Sequence, residues 1–304
     1  MVKVYSELMK ALLSGKFVYI AEIEAGKTAN LEGIVEKARR LKGYVAAINI
    51  TDNPGACAHM NPLIPSYVIQ RNVGIETVYQ LTCRDRNRLA LTSDLLAAAT
   101  LGIRNILVMT GDYVTLGDNP GAKPVFDLDS ATLLYPVRRM VDEGVDLSGN
   151  RIEGEVKFNV GIAGNPNAEP LELELLKIER KVRLGVDFIQ TQCVFDIELA
   201  KNFLKEIKKF NTPVLMGICP IKSIGMMKWY IEKCPGGIKI PREIQKRLVE
   251  ARRQRGKEAV LEESIRISAE LIKELRKTTN AAGAHIMAIG FEYVIPKIVE
   301  FSKT

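Results

Sequence analysis

Short apolar runs rich in β-branched residues alternate along this chain with longer segments of helical periodicity. The apolar runs predict strands at 17–24, 44–51, 75–82, 105–111, 157–164, 188–194, 213–219 and 284–290. The longer segments predict helices that include 29–41, 85–101, 128–143, 170–184, 196–209 and 257–277. Strands that alternate with helices in this way pair in parallel through right-handed crossovers.

Eight strand–helix units in 304 residues favour an α/β fold, a (β/α)8 TIM barrel that forms a single domain over 1–304. A doubly wound sheet is the main alternative. It is less favoured because no GxGxxG follows the first strand. The long stretch between the last two strands predicts extra helices, with Pro235–Gly237 and Pro241 as breaks.

Polar residues stand near the carboxyl ends of several predicted strands, at every second position. They are Glu22 and Glu24, Asn49 and Thr51, Gln80 and Thr82, Gln190 and Gln192, and His285 in the last strand. Alternate side chains of a barrel strand point inward, and the carboxyl ends form the mouth where barrel enzymes have their sites. Each residue alone is typical of a cap or a structural hydrogen bond, and His285 is interpreted as structural. Together they predict a polar ligand, because buried carboxylates and amides are costly without partners.

The composition and charge of the chain disfavour some classes of protein. The net charge is +7, from 43 basic and 36 acidic residues, and many charges lie in mixed runs typical of solvated helix faces. No basic cluster is interleaved with aromatic residues, which disfavours nucleic-acid binding, whereas a small anionic ligand suits a mild positive charge. No apolar stretch approaches the roughly 20 residues that span a bilayer, so we expect no membrane segment.

The five cysteines are odd in number and widely spaced, with no CxxC pair. Since no secretory signal is visible either, the sequence predicts reduced cysteines and a soluble, cytoplasmic protein. The two histidines are far apart, and HExxH and GxSxG motifs are absent, so neither a metal site nor a hydrolase triad is expected. The remaining carboxylate, amide and hydroxyl groups suit general acid catalysis on a heterocycle beside a cofactor.

The stretch VMTGDYVTLGDNPGAKPVFDLDS (108–130) begins as a strand and continues as a long polar loop. Asp112 directly follows the fourth strand and is expected at the mouth of the barrel. Asp127 and Asp129 precede a predicted helix, whose first N–H groups they can cap. The loop is therefore predicted to form one wall of the site.

Four motifs resemble the methylenetetrahydrofolate reductase family: AEIEAGKT (21–28), LTCRDRN (81–87), GIRNILVMTGD (102–112) and KVRLGVDFIQTQCVFD (181–196). They occur in the family's order on the matching strands, and the resemblance extends from about residue 17 to 292. It implies a flavin-binding (β/α)8 barrel that reduces 5,10-methylenetetrahydrofolate to 5-methyltetrahydrofolate.

The resemblance assigns catalytic roles to Glu22 and Asp112. Glu22 matches the family's glutamate after the first strand and is expected to protonate the substrate amine as the five-membered ring opens. A general acid has to carry its proton near neutral pH, which burial and a second carboxyl such as Glu24 favour. Asp112 matches the family's aspartate after the fourth strand, and it is expected to bind the pterin and to lower the reduction potential of the flavin.

The resemblance also implies two sets of contacts. Cofactor contacts are expected from Thr51, Gln80, Met109, Thr110, Gly111, Asp127, Asp129, Asn165, Arg180, Lys181 and Gln190. Substrate contacts are expected from Glu24, Gln192, Ile224 and Met287. The chain departs from the family at Gln80, which replaces a histidine, and at Ile224, which replaces a stacking aromatic residue. Met287 and Phe291 stand where the family has a tyrosine and an arginine.

The implied cofactor is a flavin, with FAD favoured over FMN. A folate-type pterin is the expected substrate, NAD(P)H or a partner electron-transfer subunit is the expected donor, and an oligomer is expected. The chain is most similar to the short bacterial or archaeal branch of the family. Two alternatives stay open: a flavin-carrying barrel subunit that depends on a partner for electrons, and a flavin-free pterin-dependent methyltransferase.

Overall fold

The computed structural model describes residues 3–234 and 237–304, and its centre is a closed barrel of eight parallel strands. The strands are β1 (Val18–Ile23), β2 (Ala47–Ile50), β3 (Glu76–Thr82), β4 (Asn105–Met109), β5 (Asn159–Gly164), β6 (Phe188–Cys193), β7 (Val214–Ile218) and β8 (Gly283–Ile286). Each strand pairs with its neighbours in chain order, and β8 closes the ring on β1. The predicted TIM barrel is confirmed.

Helices surround the barrel. They are α1 (Glu7–Leu13), α2 (Glu32–Leu41), α3 (Leu63–Val73), α4 (Arg88–Thr100), α5 (Ser130–Asp142), α6 (Leu171–Arg183), α7 (Ile197–Ile207), α8 (Ile224–Glu232), α9 (Arg242–Arg255), α10 (Glu258–Thr278) and α11 (Ile295–Lys303). Three of them, α8, α9 and α10, lie between β7 and β8, which confirms the prediction of extra helices there. None of the helices in the described part of the chain combines the length and the apolar character that crossing a bilayer requires.

The predicted element ends differ from the observed ones by a few residues. The strand predicted at 44–51 is observed as β2, which starts at Ala47. The chain is still turning at Tyr44, whose backbone N–H donates to the carbonyl of Leu41. Pro241 directly precedes α9, as predicted. The other predicted break falls partly on Pro235 and Gly236, which lie outside the described residues.

Inward side chains pack the middle of the barrel. They come from Ile20, Ala47, Val78, Leu107, Phe188 and Leu215. The ring of Phe188 extends towards β5, where a Cβ on Gly161 would lie 2.3 Å from it. Gly161 therefore leaves the space that the ring fills, and the barrel is packed at this level instead of forming a channel.

Helix α1 closes the amino-terminal end of the barrel. Its Leu8 and Met9 are fully buried in the same cluster as the inward residues of the strands. The carboxylate of Glu76, at the start of β3, accepts hydrogen bonds from the backbone N–H groups of Glu7 (2.9 Å) and Leu8 (2.8 Å). A carboxylate in this position satisfies free N–H groups and complements the helix dipole. A ligand can therefore enter the barrel only from the carboxyl end of the strands.

The extra helices build a side wall at that open end. Tyr230, Leu248 and Val260, from α8, α9 and α10, pack into one buried cluster with Phe195 and Ile221, which follow β6 and β7. The cluster lies beyond the ends of two neighbouring strands. It therefore extends the barrel on one side of the mouth.

Cys193 at the end of β6 and Cys219 just after β7 form a disulfide, with their Cα atoms 5.7 Å apart. The prediction that all cysteines are reduced is wrong for these two. They are 26 residues apart in sequence, and they meet because β6 and β7 are neighbours in the barrel.

Glu76→Gln should destabilise the protein, since the amide group retains one acceptor oxygen for the N-terminus of α1 and turns its NH2 towards a second donor. We expect a loss of about 1–2 kcal/mol in the free energy of unfolding, measured by urea denaturation. Glu153→Gln, at an exposed residue, is the matched control. An equal effect of the two substitutions would contradict the role of Glu76 in holding α1.

Candidate active site

A layer of polar side chains lies directly above the apolar middle of the barrel. It is formed by Glu22, Asn49, Gln80, Gln190 and His285, which are between 0% and 7% exposed. The strand register places Glu22 opposite Asn49, and Gly217 of β7 opposite His285. The predicted inward orientation of these strand-end residues is confirmed, and the layer forms the floor of the mouth.

Glu22 is held by side chains from two other strands. The amide of Gln80 donates a hydrogen bond to its Oε2 at 2.9 Å. Nε2 of His285 lies 3.4 Å from the same oxygen. His285 was expected to be structural, but it contacts the carboxyl that the sequence singles out as the acid. In the sequence, this contact was indicated by the inward position of His285 on the last strand.

Two more carboxyl groups lie near Glu22. Glu24 is the next inward residue after β1, and Glu292 follows β8 in a short 3-10 helix (Glu292–Val294). Burial, together with the nearby charges of Glu22 and Glu292, raises the pKa of Glu24 to about 7. Lys37 of α2 forms an ion pair with Glu292 at 2.9 Å and partly offsets this effect. A proton is therefore available at this side of the mouth near neutral pH.

Glu292 was not found from the sequence. It comes shortly after the last strand, at the same edge as the other strand-end residues, and this position was the available signal. It is 3% exposed and also accepts a hydrogen bond from the backbone N–H of Gly290 at 3.1 Å.

Several buried polar atoms of the mouth lack a hydrogen-bond partner within residues 3–234 and 237–304. They are Oδ1 of Asn49, Oγ1 of Thr51, Nε2 of His285, and both Oε1 and Nε2 of Gln190. Gln190 is 2% exposed, so water does not hydrate its amide as it would hydrate the amide of a surface glutamine. Unpaired buried polar atoms are rare in folded proteins. These atoms offer donors and acceptors to a planar polar ligand.

A buried ion pair fixes the loops that surround this layer. Asp52, two residues after the end of β2, accepts two hydrogen bonds from the guanidinium of Arg86 at 2.7 and 3.1 Å. The same carboxylate accepts hydrogen bonds from the backbone N–H and the hydroxyl of Thr82, both at 2.8 Å. Since Asp52 follows β2 and Thr82 is the last residue of β3, the network holds the two strand ends in register beside the mouth.

The loop after β4 packs against the loop after β2. The carboxylate of Asp112 accepts a hydrogen bond from the backbone N–H of Gly55 at 3.1 Å, and that of Asp118 accepts one from Ala58 at 3.1 Å. A Cβ on Gly117 would lie 1.9 Å from the carbonyl oxygen of Ala56, so only glycine permits this approach. The two loops together form one rim of the mouth.

The buried side chain of Arg84 contacts the backbone of Asp112. Arg84 is 2% exposed, and its guanidinium donates to the backbone carbonyl of Asp112 at 3.3 Å and pairs with Asp85 at 2.7 Å. Gly111 has a φ of +97°, and a Cβ there would lie 2.9 Å from Cβ of Arg84. The backbone therefore turns sharply over Arg84 and places Asp112 at the rim.

Asp127 and Asp129 have protein partners. Asp127 pairs with the guanidinium of Arg88 and accepts its backbone N–H at 2.9 Å. Asp129 caps α5 and forms a capping box with Thr132. The predicted helix cap is confirmed for Asp129, while the cofactor contacts expected of both residues stay predictions. Thr110 is tied to the same helix, because its hydroxyl accepts the backbone N–H of Ser130 at 3.2 Å.

The basic pair of α6 is split between two environments. Arg180 is exposed and lines a groove of about 660 Å³ between α5 and α6. Lys181 is partly buried, and its burial lowers its pKa. The side chain of Arg180 is therefore hydrated like that of a surface arginine, whereas the side chain of Lys181 is partly shielded from water.

The remaining predicted residues are spread around the mouth. Met109 is the next inward residue of β4 above Leu107, and Met287 is buried in the side-wall cluster. The side chain of Asn165 accepts a hydrogen bond from the backbone N–H of Asn167 at 3.0 Å. Ile224 packs on the edge of the side wall.

Gln192 does not join Gln190 in the buried layer. The pairing of β6 with β7 shifts between Gln190 and Cys193, so that Cys193 lies opposite Gly217. Thr191 stabilises the irregularity by accepting the backbone N–H of Gly217 at 2.8 Å. Strict alternation along β6 is therefore wrong, and Gln192 is exposed. Its contact with a substrate stays a prediction.

Solved structures with a similar fold include the EDTA monooxygenase EmoA from Chelativorans sp. BNC1. It has a TM-score of 0.56 and 12% sequence identity, and the match covers 95% of this chain and 94% of that chain. A 2,3-dimethylmalate lyase matches with a TM-score of 0.53 and 12% identity over 100% of this chain and 83% of that chain. At these identities the likeness shows the fold alone.

Sequence comparison identifies closer relatives. Methylenetetrahydrofolate reductase 1 of Schizosaccharomyces pombe is 25% identical in an alignment of 320 positions, and the match covers 98% of this chain and 48% of that protein. The 5,10-methylenetetrahydrofolate reductase of Pectobacterium carotovorum is 21% identical in an alignment of 228 positions, and the match covers 72% of this chain and 69% of that protein. The chain thus spans about half the length of the yeast relative. The family model for methylenetetrahydrofolate reductase matches residues 7–303, and the chain belongs to the methylenetetrahydrofolate reductase family.

Proposed function

We propose that this chain binds a flavin at the mouth of the barrel and reduces 5,10-methylenetetrahydrofolate to 5-methyltetrahydrofolate. The observation that carries the proposal is the buried, doubly unpaired amide of Gln190 in the same layer as the paired carboxyl of Glu22. The amide of Gln190 is suited to hold a planar cofactor, and the carboxyl of Glu22 is suited to protonate a substrate beside it. Membership of the reductase family supports the same reaction.

The residues at the mouth fit a flavin. The pyrimidine edge of an isoalloxazine presents carbonyl oxygens and a ring N–H. Nε2 of Gln190 can donate to such a carbonyl, and Oδ1 of Asn49, Oγ1 of Thr51 and Oε1 of Gln190 can accept from the N–H. When bound, the flavin supplies the hydride for the reduction. The protein's part is to orient the ring and to shield it from water.

The acid of the reaction is proposed to be Glu22. The hydrogen bond from Gln80 and the contact with His285 fix the position of its carboxyl group at the floor of the mouth. From there it donates a proton to the substrate nitrogen that is released when the five-membered ring opens. Glu24, whose pKa is raised to about 7, is placed to return a proton to the site near neutral pH.

FAD is favoured over FMN by the groove between α5 and α6. The apolar side chains of Leu128, Tyr135 and Leu176 line it together with Arg180. An adenylate needs an apolar surface for its base and a cation for its phosphate, and this groove of about 660 Å³ offers both. FMN has no group that would occupy it.

Ile224 is relevant to the identity of the electron donor. This residue stands where the resemblance expects an aromatic ring that stacks on folate or nicotinamide, and its aliphatic side chain offers no such ring. The substitution favours electron input from a partner subunit over direct binding of NAD(P)H. Activity of the isolated chain with NADH or NADPH would contradict this part of the proposal.

Cofactor extraction followed by a reverse half-reaction tests the proposed function. The purified protein should be yellow, release FAD on denaturation, and lose its flavin absorbance when 5-methyltetrahydrofolate is added without oxygen. A colourless protein that takes up neither FAD nor FMN would overturn the proposal. If such a protein transferred methyl groups to a corrinoid, it would be a flavin-free methyltransferase instead.

Glu22→Gln should leave flavin binding intact and slow the half-reaction with 5-methyltetrahydrofolate by at least about 100-fold, because in this direction the ring closes and the amide cannot accept the proton that the substrate amine releases. Stopped-flow absorbance measures the rate. Glu36→Gln, at an exposed residue of α2, is the control. A normal rate in Glu22→Gln would show that another group is the acid.

Asp112→Asn should raise the midpoint potential of the bound flavin, since a negative charge at the rim disfavours the reduced, anionic cofactor. Spectroelectrochemical titration measures the potential. Asp146→Asn removes the same charge from the loop after α5, at the opposite end of the barrel, and should leave the potential unchanged. The electrostatic role of Asp112 is wrong if the two variants behave alike.

Glu24→Gln should stabilise the protein above pH 7 and have little effect at pH 4.5. The folded-state pKa of about 7 lies above the ordinary value, so the favourable protonation of Glu24 is complete in acid and is lost as the pH rises through 7. We expect a gain of roughly 1–2 kcal/mol at pH 8, a value reduced for partial exposure. Urea denaturation at pH 4.5 and pH 8 measures it, and a pH-independent effect would contradict the assignment.

A further inference from the structure

Three carboxyl groups lie together on one side of the mouth, those of Glu22, Glu24 and Glu292. The third comes from the far end of the chain, and it reaches this side because β8 closes the ring on β1. The short 3-10 helix that Glu292 begins packs against β1 and α2. Glu22 and Glu292 are 7% and 3% exposed, whereas Glu24 is only half-buried. Of the three carboxyl groups, that of Glu24 therefore has the most access to water.

An ion pair fixes the position of the Glu292 carboxylate. Nζ of Lys37, from α2, lies 2.9 Å from Oε1 of Glu292. The same oxygen accepts the backbone N–H of Gly290 at 3.1 Å. Two donors on one oxygen hold the side chain in one place. The negative charge of Glu292 and the positive charge of Lys37 thus lie at defined positions beside Glu24.

Glu24 responds to both of these charges. Burial, followed by the charges of Glu22 and Glu292, raises the pKa of Glu24 to about 7, and Lys37 acts in the opposite direction. The phenol of Tyr230, from α8, lies near the same carboxyl groups and is neutral, because burial raises its pKa as well. The charged partners that control the proton of Glu24 from outside β1 are therefore Glu292 and Lys37.

Glu22 needs a neighbour that can supply a proton. Gln80 and His285 contact its Oε2 at 2.9 and 3.4 Å, and a substrate on the floor of the mouth would cover it further. After each proton transfer, Glu22 is a carboxylate and has to regain a proton before the next turnover. Glu24 lies two residues further on the same face and is more exposed to water, so it is placed to supply that proton.

We propose that Glu292 and Lys37 are positioning residues for proton delivery: the fixed carboxylate of Glu292 keeps a proton on Glu24, which passes it to Glu22 after each turnover. The inference rests on the proposed function, in which Glu22 is the acid, and adds the residues that reload it. In each cycle a proton moves from the Glu24 carboxyl to the Glu22 carboxylate, and Glu24 takes another from water. No electrons move in this step.

The opposite charges of Glu292 and Lys37 provide the test. Loss of the negative charge at Glu292 should let Glu24 release its proton at a lower pH, and loss of the positive charge at Lys37 should delay the release to a higher pH. A purely structural role predicts that the two variants behave alike, because each substitution breaks the same ion pair.

NMR titration of Glu24 in the protein without flavin or substrate measures the two effects. The glutamate side-chain carboxyl groups are labelled with 13C, and the signal of Glu24 is the one that Glu24→Gln removes. We expect Glu292→Gln to lower the midpoint of this signal by about 0.5–1 pH unit and Lys37→Met to raise it by about as much. The control Glu36→Gln removes a negative charge from an exposed residue next to Lys37 and should leave the midpoint unchanged.

Turnover shows whether the reaction uses this proton. With 5,10-methylenetetrahydrofolate and reduced methyl viologen as an artificial electron donor, kcat should fall above the pH at which Glu22 and Glu24, as a coupled pair, lose their proton. The midpoint of this fall should move down in Glu292→Gln and up in Lys37→Met. The charge-conserving variants Glu292→Asp and Lys37→Arg should keep the wild-type pH profile.

Opposite shifts in both measurements support the proposal. Shifts of the same sign, no shift, or a kcat profile that does not follow the titration would overturn it. If Glu292→Gln does not fold, Lys37→Met decides alone, because Lys37 is partly exposed on α2. Absence of folate reduction in every variant and in the wild type would overturn the proposed function and with it the delivery step, while the titration would still show whether the two charges control the proton of Glu24.

Discussion

Closure of the barrel at one end determines where chemistry can occur in this protein. Leu8 and Met9 of α1 are buried under the strands, and Phe188 fills the space left by Gly161. Because the middle of the barrel is apolar and packed, inward polar side chains can meet a ligand at the open end. The polar layer at Glu22 is therefore the place where the barrel can meet a ligand, and the surrounding loops and ion pairs keep that layer in position.

Much of this arrangement was predictable from the sequence, because it depends on local alternation. Apolar runs locate the strands, and the period of two within each run identifies Glu22, Asn49 and Gln80 as inward residues. The signal fails where one strand departs from that period. The irregularity in β6 exposes Gln192 and places Cys193 opposite Gly217, and no residue type in FIQTQCV predicts it.

Contacts between distant segments could not be predicted in the same way. Glu292 reaches the acid cluster only because β8 closes on β1, and Cys193 meets Cys219 only because β6 and β7 are neighbours. The aspartates of the loop after β4 look alike in sequence, yet they have different partners. Asp112 turns to the rim and Asp127 to Arg88, and these partners come from segments about 60 and 40 residues away.

The position of α1 has a consequence for the order of assembly. This helix precedes all eight strands in the chain, but its binding surface is the underside of a ring that exists only after β8 has paired with β1. Its apolar side chains therefore remain without their partners until all eight strands have been made. Non-local closure of this kind is slow and leaves apolar surface exposed during folding. The apolar face of α1 is thus vulnerable to aggregation for as long as the barrel is open.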